Sequence, residues 1–504
     1  MSGTAALEAA LEAWRQGRTD ECLAQLAAMG GAASDHPLAL QLWALAAGAS
    51  GANADALALL ERAVRLAPGE AQAHFNLAVA LQAIDALPRA ALHYGQALSL
   101  DPNHLDSLNN LSELMRRRGR PAEGWALMER YLAGGGDPAG LEIRLAKLAM
   151  DLRRLDEAEA WFQRAEAHAP GSALIGWEHA ALSLMREDFA RGWPRYERRL
   201  EHLGHDALGI YPHAAPPWRG EAVAGRRLLL HREQGLGDMM MHARVFQDLI
   251  DEGAALNLAV HPPLVRLMAQ SFPAARVWSS VTTAGTGRQP EQPWLAAAGP
   301  FDLQAPICSL GALRLAGGVA PVAPYLRADP ADVARWAERL RALAPVGAGT
   351  RRIGLALGTR LESWNDDGYV NALRRSLTPG ATAGLADVAK VRWIGLHDRE
   401  TAAQLADAPG LSVCDTSPWI TDLADTAAII ANLDVVVTAD TAVAHVAGAM
   451  GKPVLLMLWW NGDWRWGFDR SDSYWYGDVR IFRQAEPGDW TSVVQGVTRA
   501  LGGS

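Results

Sequence analysis

Two acidic positions of the sequence lie where a carboxylate could take part in chemistry. Asp238 closes the run Gly235-Leu236-Gly237-Asp238, which follows the apolar stretch 228–230. The glycines allow backbone amides to approach a ligand closely, and a carboxylate beyond a strand end can accept the proton of a hydroxyl group. Asp238 could equally be the N-terminal cap of the next helix, and the local pattern alone favours neither interpretation.

The second position is the pair Asp440-Thr441, which separates the β-branched run 435–437 from a helical pattern. A helix N-terminus offers free amides and the positive end of the helix dipole, which suit a phosphate or a carboxylate. Ala442 stands in the first turn, and His445 lies one turn beyond Thr441 on the same face. The alternative is structural, because Asp-Thr is a common helix cap and a helical histidine is often only packed.

Both positions follow apolar strands in a region where strands and helices alternate. Such alternation predicts parallel sheets, in which ligands bind beyond the carboxyl ends of the strands. We predict an α/β region of two Rossmann-like lobes, over residues 226–345 and 346–504, after a linker over residues 206–225. Gly358 ends the first strand of the second lobe.

A hydride-transferring dinucleotide enzyme is the weakest interpretation of this region. The third glycine of the dinucleotide fingerprint is missing, because Met240 follows Gly235 and Gly237 at that place.

Residues 1–205 carry a helical pattern that repeats every 34 positions. Pro68 returns as Pro102, and Asn76-Leu77 returns as Asn110-Leu111. This period, with paired helices and a closing proline, predicts an all-α superhelix of tetratricopeptide repeats. Such arrays present an extended concave surface, so we expect this one to recruit a protein partner or an acceptor. The alternative is that the array only supports the second half of the chain.

Composition narrows the class of protein. The length of 504 residues predicts two to four domains, and 49% of the residues are apolar, which is enough material for large cores. The formal net charge of −9 argues against nucleic acid bound through a general basic field. Cys22, Cys308 and Cys414 lie far apart and form no metal-site spacing or disulfide framework, which favours a cytoplasmic location. We expect neither a signal peptide nor a membrane span.

From about residue 226 to residue 502 the sequence resembles glycosyltransferase family 9, the heptosyltransferase-like group with two Rossmann domains (the GT-B fold). It is most similar to bacterial members that carry N-terminal tetratricopeptide repeats. The motifs that carry the resemblance are EQGLGD (233–238), AR (243–244), PPLVRL (262–267), PYL (324–326), DTAVAHVAG (440–448), DWRW (463–466), FRQ (482–484) and PGDW (487–490). Their number and order make the match specific.

The resemblance implies that the first lobe faces the acceptor. Asp238 matches the proposed catalytic base, which deprotonates the acceptor hydroxyl. Gln234, Gly235, Gly237 and Arg244 would line the acceptor side of the cleft.

The second lobe would hold the nucleotide-sugar donor. Asp440 and Thr441 match residues that contact the sugar and the diphosphate, and His445 matches the helix histidine of the same motif. Ala442 stands where heptosyltransferases often have glycine. A basic residue before a Ser-Ile-Pro-like turn binds phosphate in the family, and Arg374 or Arg375 fits that place best. Gly358 is assigned to the same donor side.

Two hypotheses of different class follow. The first is an inverting glycosyltransferase, hexosyl- or heptosyl-transferase-like, that uses a nucleotide sugar and a saccharide or protein acceptor. It would need no metal or other cofactor, because no Asp-x-Asp triplet occurs and helix ends and arginines would stabilise the leaving diphosphate. The second is a tetratricopeptide scaffold or adaptor with a degenerate, inactive transferase half.

Different parts of the sequence favour each hypothesis. The presence of both Asp238 and the Asp440-Thr441 pair favours the enzyme. Seven residues separate Asn365-Asp366 from Arg374-Arg375-Ser376, where the family has one continuous run, and His397-Asp398-Arg399 stands where relatives often show lysine. These departures favour the scaffold.

Overall fold

The structure is a computed structural model that describes residues 3–29, 35–49, 51–204, 208, 215–281, 293–358, 374–377, 379–397, 401 and 410–502. The chain divides into two compact units, Met1–His168 and Ala169–Ser504. Within the described ranges, no helix has the length and apolar character that crossing a bilayer requires.

The first unit is a series of helical hairpins. Alanines fill the helix crossings, and Ala73, Ala78 and Ala97 are fully enclosed. A β-carbon on Gly124 would lie 2.9 Å from the carbonyl oxygen of Ser112, so only glycine allows these backbones to approach. The predicted all-α array of the tetratricopeptide kind is therefore confirmed. The helices are Gly3–Arg15, Thr19–Ala28, Pro37–Ala49, Asn53–Leu66, Ala71–Ala83, Leu87–Leu100, Leu105–Arg117, Pro121–Ala133, Glu142–Asp151 and Leu155–His168.

Each hairpin turns at a residue in the left-handed backbone region, and these residues recur every 34 positions. They are Gly17, Gly51, Asp85, Gly119, Arg153 and Glu187, with φ between 58° and 83°. Glycine adopts this conformation without steric cost, and the other three accept some strain to keep the turn. The repeat is thus a property of backbone geometry as well as of sequence.

The last of these turns extends the repeat pattern beyond the first compact unit. Glu187 joins the helices Ala173–Met185 and Phe189–Glu197, and the short helix Arg199–His202 follows. The repeat pattern continues to about residue 205, where the sequence predicts the end of the array. The first compact unit ends earlier, at His168. The sixth hairpin therefore groups with the α/β region.

The first half of the α/β region is a four-stranded parallel sheet. Its strands are β1 (Arg227–His231), β2 (Ala255–Val260), β3 (Arg276–Ser279) and β4 (Leu303–Pro306), in the order β3-β2-β1-β4. The order reverses between β1 and β4, as in doubly wound folds. The helices of this half are Leu236–His242, Phe246–Asp251, Val265–Ser271, Pro293–Ala298 and Leu310–Arg314.

The second half is a separate six-stranded parallel sheet. Its strands are β5 (Arg351–Ala356), β6 (Val391–Gly395), β7 (Val413–Cys414), β8 (Val435–Ala439), β9 (Val454–Leu458) and β10 (Val479–Arg483), in the order β10-β9-β8-β5-β6-β7. The order reverses between β5 and β8, which is the arrangement of dinucleotide-binding folds. The helix Pro330–Leu343 precedes this sheet, and the helices Leu423–Ala431, Ala442–Ala449 and Trp490–Ala500 belong to it.

The two sheets confirm the predicted α/β class with two Rossmann-like halves. The first sheet lies within residues 226–345 and the second within residues 346–504. Apolar strands such as β9, which is buried throughout, form the inner layer against helices. Part of the expected linker, the Asn365-Asp366 pair and positions 398–399 lie outside the described residues.

Candidate active site

The reversals of strand order bring the two acidic motifs to the carboxyl ends of central strands. β1 leads into the loop that reaches Asp238, beside the end of β4. β8 ends at Ala439 and Asp440 follows, beside the end of β5, which runs into Gly358. The helices that begin at Leu236 and Ala442 contact each other. The two motifs therefore meet between the sheets.

Gly237 and His445 mark a close approach of these helices. A β-carbon on Gly237 would lie 2.7 Å from Cδ2 of His445, so only glycine fits. His445 shares a hydrogen bond of 2.8 Å between its Nδ1 and the hydroxyl of Tyr476, and its ring stacks on Trp466 with centroids 5.2 Å apart. Burial lowers the pKa of His445 to about 4, which keeps the imidazole neutral at neutral pH. The histidine packs the two motifs together.

Asp238 is buried and paired, whereas its position in a glycine-rich turn suggests an open carboxylate. It is 8% exposed. Its Oδ2 accepts a hydrogen bond from the backbone nitrogen of Gly235 at 3.3 Å, which caps the helix. Its Oδ1 accepts from Nε of Arg465 at 3.1 Å and from Nη2 of the same guanidinium. The helix-cap interpretation is therefore correct for one oxygen, and the other oxygen faces a charge from the second lobe.

Arg465 joins Asp238 to a second carboxylate. Its Nη1 donates to Oδ1 of Asp463 at 2.6 Å, and its guanidinium lies over the ring of Trp464, 4.5 Å from the centroid. Asp463 also caps the short turn Trp464–Trp466 by accepting from the backbone nitrogen of Arg465 at 3.0 Å. Because the guanidinium is planar and carries five N–H donors, one side chain can hold both carboxylates.

Arg375 extends the line of charges to the donor motif. Its Nη2 lies 3.6 Å from Oδ2 of Asp463, and its Nε lies 3.5 Å from Oδ2 of Asp440. Oδ1 of Asp440 accepts from the indole nitrogen of Trp466 at 2.8 Å, while Oδ2 has no hydrogen-bond partner among the described residues. The continuous line, named here the charge line, consists of Asp238, Arg465, Asp463, Arg375 and Asp440.

Mutual attraction keeps the paired members of the charge line ionised. Burial alone would raise the pKa of Asp238, but the charge and hydrogen bonds of Arg465 outweigh it and lower that pKa. The pKa of Asp463 is lowered by the same balance, in which Arg465 and Arg375 oppose burial. Burial disfavours the charged guanidinium, but Asp238 and Asp463 raise the pKa of Arg465 well above its usual value. Asp238 is thus ionised, and it is a weak base while Arg465 holds it.

The start of the helix Ala442–Ala449 is capped by Thr441. The Thr441 hydroxyl accepts from the backbone nitrogen of Val443 at 3.2 Å and hydrogen-bonds with the Thr438 hydroxyl at 3.2 Å. Thr441 and Ala442 are half-buried, so the first turn is partly open. Asp440 and Thr441 thus keep the positions that the sequence predicts, at the end of a strand and the start of a helix.

The structure separates the two candidate phosphate-binding arginines. Arg375 lies in the charge line, whereas the guanidinium of Arg374 lies over the ring of Trp459, 5.4 Å from its centroid. Gly358 is buried. The segment that bears the two arginines lies next to it, because Leu377 donates its backbone N–H to the carbonyl of Leu357 at 2.8 Å. The geometry favours Arg375 over Arg374 as the candidate phosphate-binding arginine.

Arg244, expected on the acceptor side of the cleft, occupies a packed interior. It donates to the carbonyl of Ala320 and lies over the ring of Trp475, 5.4 Å from the centroid. A role for Arg244 toward an acceptor rests on the resemblance alone.

The loop that leads to Asp238 is held by residues of the sixth hairpin and the short helix after it. Glu233 accepts from Nε and Nη2 of Arg199 at 2.6 and 2.7 Å. Gln234, which adopts a left-handed φ of 55°, donates its side-chain amide to the hydroxyl of Tyr196 at 2.6 Å. Helical residues outside the two sheets therefore fix the conformation of the EQGLGD motif.

An aromatic contact explains why the sixth hairpin belongs to the second unit. The ring of Trp193 fills the space above Gly311, where a β-carbon would lie 2.2 Å from it. The same ring packs edge-on against Trp464, with centroids 5.5 Å apart. Trp193 is fully buried, so the hairpin is part of the interior of the α/β region.

Three residues that shape the site have no assigned role in the sequence motifs. The sequence places Arg465 and Asp463 only in the DWRW motif, and Arg199 only in the repeat pattern. A run with alternating charge and tryptophan after β9 is a usable signal, because such residues are rarely buried unless they are paired. The partners could not be read from the sequence, since Asp238 precedes Arg465 by 227 residues.

Part of the chain matches a protein-family model, and most of the chain is similar to a known protein. Residues 397–457 match the model of glycosyltransferase family 9 (heptosyltransferase). This confirms the resemblance for the segment that contains β8, Asp440, Thr441 and His445. Protein FlbA of Caulobacter vibrioides is 26% identical over 513 residues, which cover 92% of this chain and 84% of that protein.

Two solved structures are similar to part of the chain. The structure of pilF from Pseudomonas aeruginosa matches 40% of this chain and 91% of its own at 15% identity, with a TM-score of 0.35. A tetratricopeptide repeat protein from Parabacteroides merdae matches 42% of this chain and 82% of its own at 17% identity, with a TM-score of 0.35.

Proposed function

We propose that the second unit is an inverting glycosyltransferase that moves a sugar from a nucleotide-sugar donor to a hydroxyl group of a saccharide or protein. The observation that carries the proposal is the charge line. It joins the strand end that bears Asp238 in one sheet to the strand end that bears Asp440 in the other. The family match over residues 397–457 supports the donor side of the proposal.

In this proposal the donor diphosphate lies at the start of the helix Ala442–Ala449. The half-open first turn at Thr441 and Ala442 offers the positive end of the helix dipole. Arg375 lies 3.5 Å from Asp440 and supplies a guanidinium that can bind phosphate oxygens in pairs. Positive charge from these groups would stabilise the leaving nucleoside diphosphate without a metal ion.

Asp238 is the proposed base for the acceptor hydroxyl. The hydroxyl oxygen forms a bond to the anomeric carbon as its proton passes to Asp238. The bond between that carbon and the phosphate oxygen breaks, and its electron pair leaves with the nucleoside diphosphate. Attack from the face opposite the leaving group inverts the anomeric configuration. The position of Asp238 in the first turn of the helix after β1, facing the donor motif of the second lobe, supports this direction of attack.

We further propose that the repeat array recruits the acceptor or a protein partner, in keeping with the extended surfaces of such arrays. A cytoplasmic location is part of the same proposal. It is supported by Cys22, Cys308 and Cys414, which are buried and unpaired.

A scaffold with an inactive transferase half is the competing function. It is favoured by one observation, the burial of Asp238 and its pairing with Arg465, which leave little of that carboxylate open to an acceptor.

A thermal-shift panel of nucleoside diphosphates and nucleotide sugars separates the two functions. Specific binding to the folded state raises the melting temperature as the ligand concentration exceeds its Kd. A transferase predicts saturable stabilisation by one nucleotide class. A panel without any stabilisation would favour the scaffold.

A further inference from the structure

The carboxylate of Asp463 bridges the two arginines of the charge line. One oxygen accepts from Nη1 of Arg465 at 2.6 Å, and the other lies 3.6 Å from Nη2 of Arg375. A phosphate group binds arginines in this same manner, with separate oxygens on separate guanidinium groups. The side chain of Asp463 is 17% exposed, so it is partly open to solvent.

The charge line does not suit an additional anion unless one of its carboxylates moves away, because it already carries net negative charge. It holds three carboxylates and two guanidinium groups, so its formal charge is −1. A diphosphate that enters beside Asp463 meets like charge at short range, which is costly in a partly buried site. Binding is favourable only if the diphosphate replaces a carboxylate on the arginines.

We propose that the donor diphosphate takes the place of Asp463 between Arg375 and Arg465, so that Arg465 is a diphosphate-binding residue. This inference rests on the proposed glycosyltransferase function and assigns a residue to its donor site. Asp463 keeps both guanidinium groups aligned in the free protein and withdraws when the ligand binds. The ring of Trp464, over which the guanidinium lies, holds Arg465 in place during the exchange.

The exchange has a consequence for Asp238. The same guanidinium of Arg465 contacts Asp238 through Nε and Nη2 and contacts Asp463 through Nη1. A diphosphate on Arg465 carries more negative charge than the carboxylate it replaces. The added negative charge raises the proton affinity of Asp238. Donor binding therefore prepares the base, and the acceptor reacts only after the donor is in place.

The test measures nucleoside diphosphate affinity in the full-length chain. UDP, GDP, ADP, CDP and dTDP are titrated in turn by calorimetry, and the tightest ligand is used for the variants. Asp463→Asn keeps the oxygen that caps the turn but removes the competing charge. Arg465→Gln removes the guanidinium, and Arg465→Lys keeps a charge in case Arg465→Gln does not fold. The matched control is Arg480→Gln, since Arg480 is an exposed arginine of the same lobe.

The proposal predicts changes of opposite sign. Asp463→Asn should bind the diphosphate severalfold to about tenfold more tightly, because the ligand no longer displaces a charge. Arg465→Gln and Arg465→Lys should bind about tenfold or more weakly, the scale of losing hydrogen bonds to a charged group. Arg480→Gln should bind as the wild type does.

Two results would overturn the assignment alone. These are unchanged or weaker binding by Asp463→Asn, and wild-type affinity in a folded Arg465 variant. Failure of the wild type to bind any of the five nucleotides would overturn the proposed function and this assignment with it.

Discussion

The guanidinium of Arg199 donates hydrogen bonds to both carboxylate oxygens of Glu233, at 2.6 and 2.7 Å, and neither side chain is exposed. Arg199 follows the sixth helical hairpin, and Glu233 begins the loop that leads to Asp238. Arg199 also donates to the hydroxyl of Ser309, which follows β4, at 3.0 Å. One helical residue thus ties together the loops after β1 and β4, where the strand order of the first sheet reverses.

Removal of Arg199 should destabilise the second unit strongly. Arg199→Met leaves Glu233 buried without its partner, and breaking a buried ion pair in this way costs about 3–5 kcal/mol. The double variant Arg199→Met/Glu233→Met should lose less than the single variant, because it leaves no fully buried charge unpaired. Glu197, which also pairs with Arg199 at 2.6 Å, is 31% exposed. The measurement is the free energy of unfolding of the second unit, followed by tryptophan fluorescence in urea. Arg191→Met is the control, since Arg191 is largely exposed where it pairs with Asp188 and its loss should cost no more than about 1 kcal/mol.

Asp238→Asn should abolish most of the turnover, while nucleotide binding should stay at least as tight as in the wild type because one negative charge beside Arg465 is removed. Asparagine retains the oxygen that caps the helix but cannot accept the acceptor proton. Turnover should fall by about a hundredfold or more, the scale of losing a general base. Asp248→Asn, an exposed aspartate of the same lobe, is the control and should keep normal turnover. Near-normal turnover in Asp238→Asn would leave Asp238 as a helix cap and an ion-pair partner only.

Adjacent arginines provide a matched test of the donor site. Arg375→Gln should weaken nucleotide-sugar binding about tenfold, because Arg375 lies in the charge line. Arg374→Gln should change affinity much less, since its guanidinium lies over Trp459. The measurement is the calorimetric Kd of each variant for the nucleotide sugar. Equal losses of affinity in the two variants would contradict the assignment of Arg375 alone to the donor site. Thr441→Val should weaken binding as well, since it removes the cap of the donor helix.

Mild acid should destabilise the second unit through its buried histidines. Burial lowers the pKa of His242 and of His445 to about 4, and burial together with Arg232 lowers that of His261 to about 4. Between about pH 6.5 and pH 4 the unfolded chain binds protons that the folded chain does not. The free energy of unfolding should therefore fall as the pH is lowered through this window.

The variant His445→Asn checks the origin of this pH dependence. Its slope of unfolding free energy against pH should be smaller by up to about 1.4 kcal/mol per pH unit, the contribution of one proton. Urea titrations at several pH values between 4 and 7 provide the slope. An unchanged slope would mean that His445 titrates alike in the folded and unfolded chain.

The repeats and the two sheets could be predicted because their signals are local. A spacing of 34 between Pro68 and Pro102 reflects one hairpin, and the strand β1 occupies the apolar run that precedes Gly235. The placement of Asp440 and Thr441 at the start of a helix follows from the same local chemistry, a capping residue between an apolar strand and a helical pattern.

The charge line could not be predicted because its contacts are not local. Asp238 and Arg465 are 227 positions apart, and nothing near either residue specifies the other. The same holds for the sixth hairpin, whose helices follow the repeat pattern but whose Trp193 fits over Gly311 of the first lobe. Local patterns show which residues are suited to chemistry, and tertiary packing decides which of them meet.

The central claim, transfer of sugar with inversion, is tested most directly by the anomeric configuration of the first product. The nucleotide sugar that stabilises the protein most is incubated without an acceptor, so that water reacts in place of the hydroxyl group. Proton NMR follows the sugar and phosphorus NMR follows the nucleotide at times shorter than mutarotation. We predict release of the nucleoside diphosphate with a sugar of inverted anomeric configuration, and loss of this reaction in Asp238→Asn. A product of retained configuration, or no release above the uncatalysed rate for any nucleotide sugar, would contradict the account.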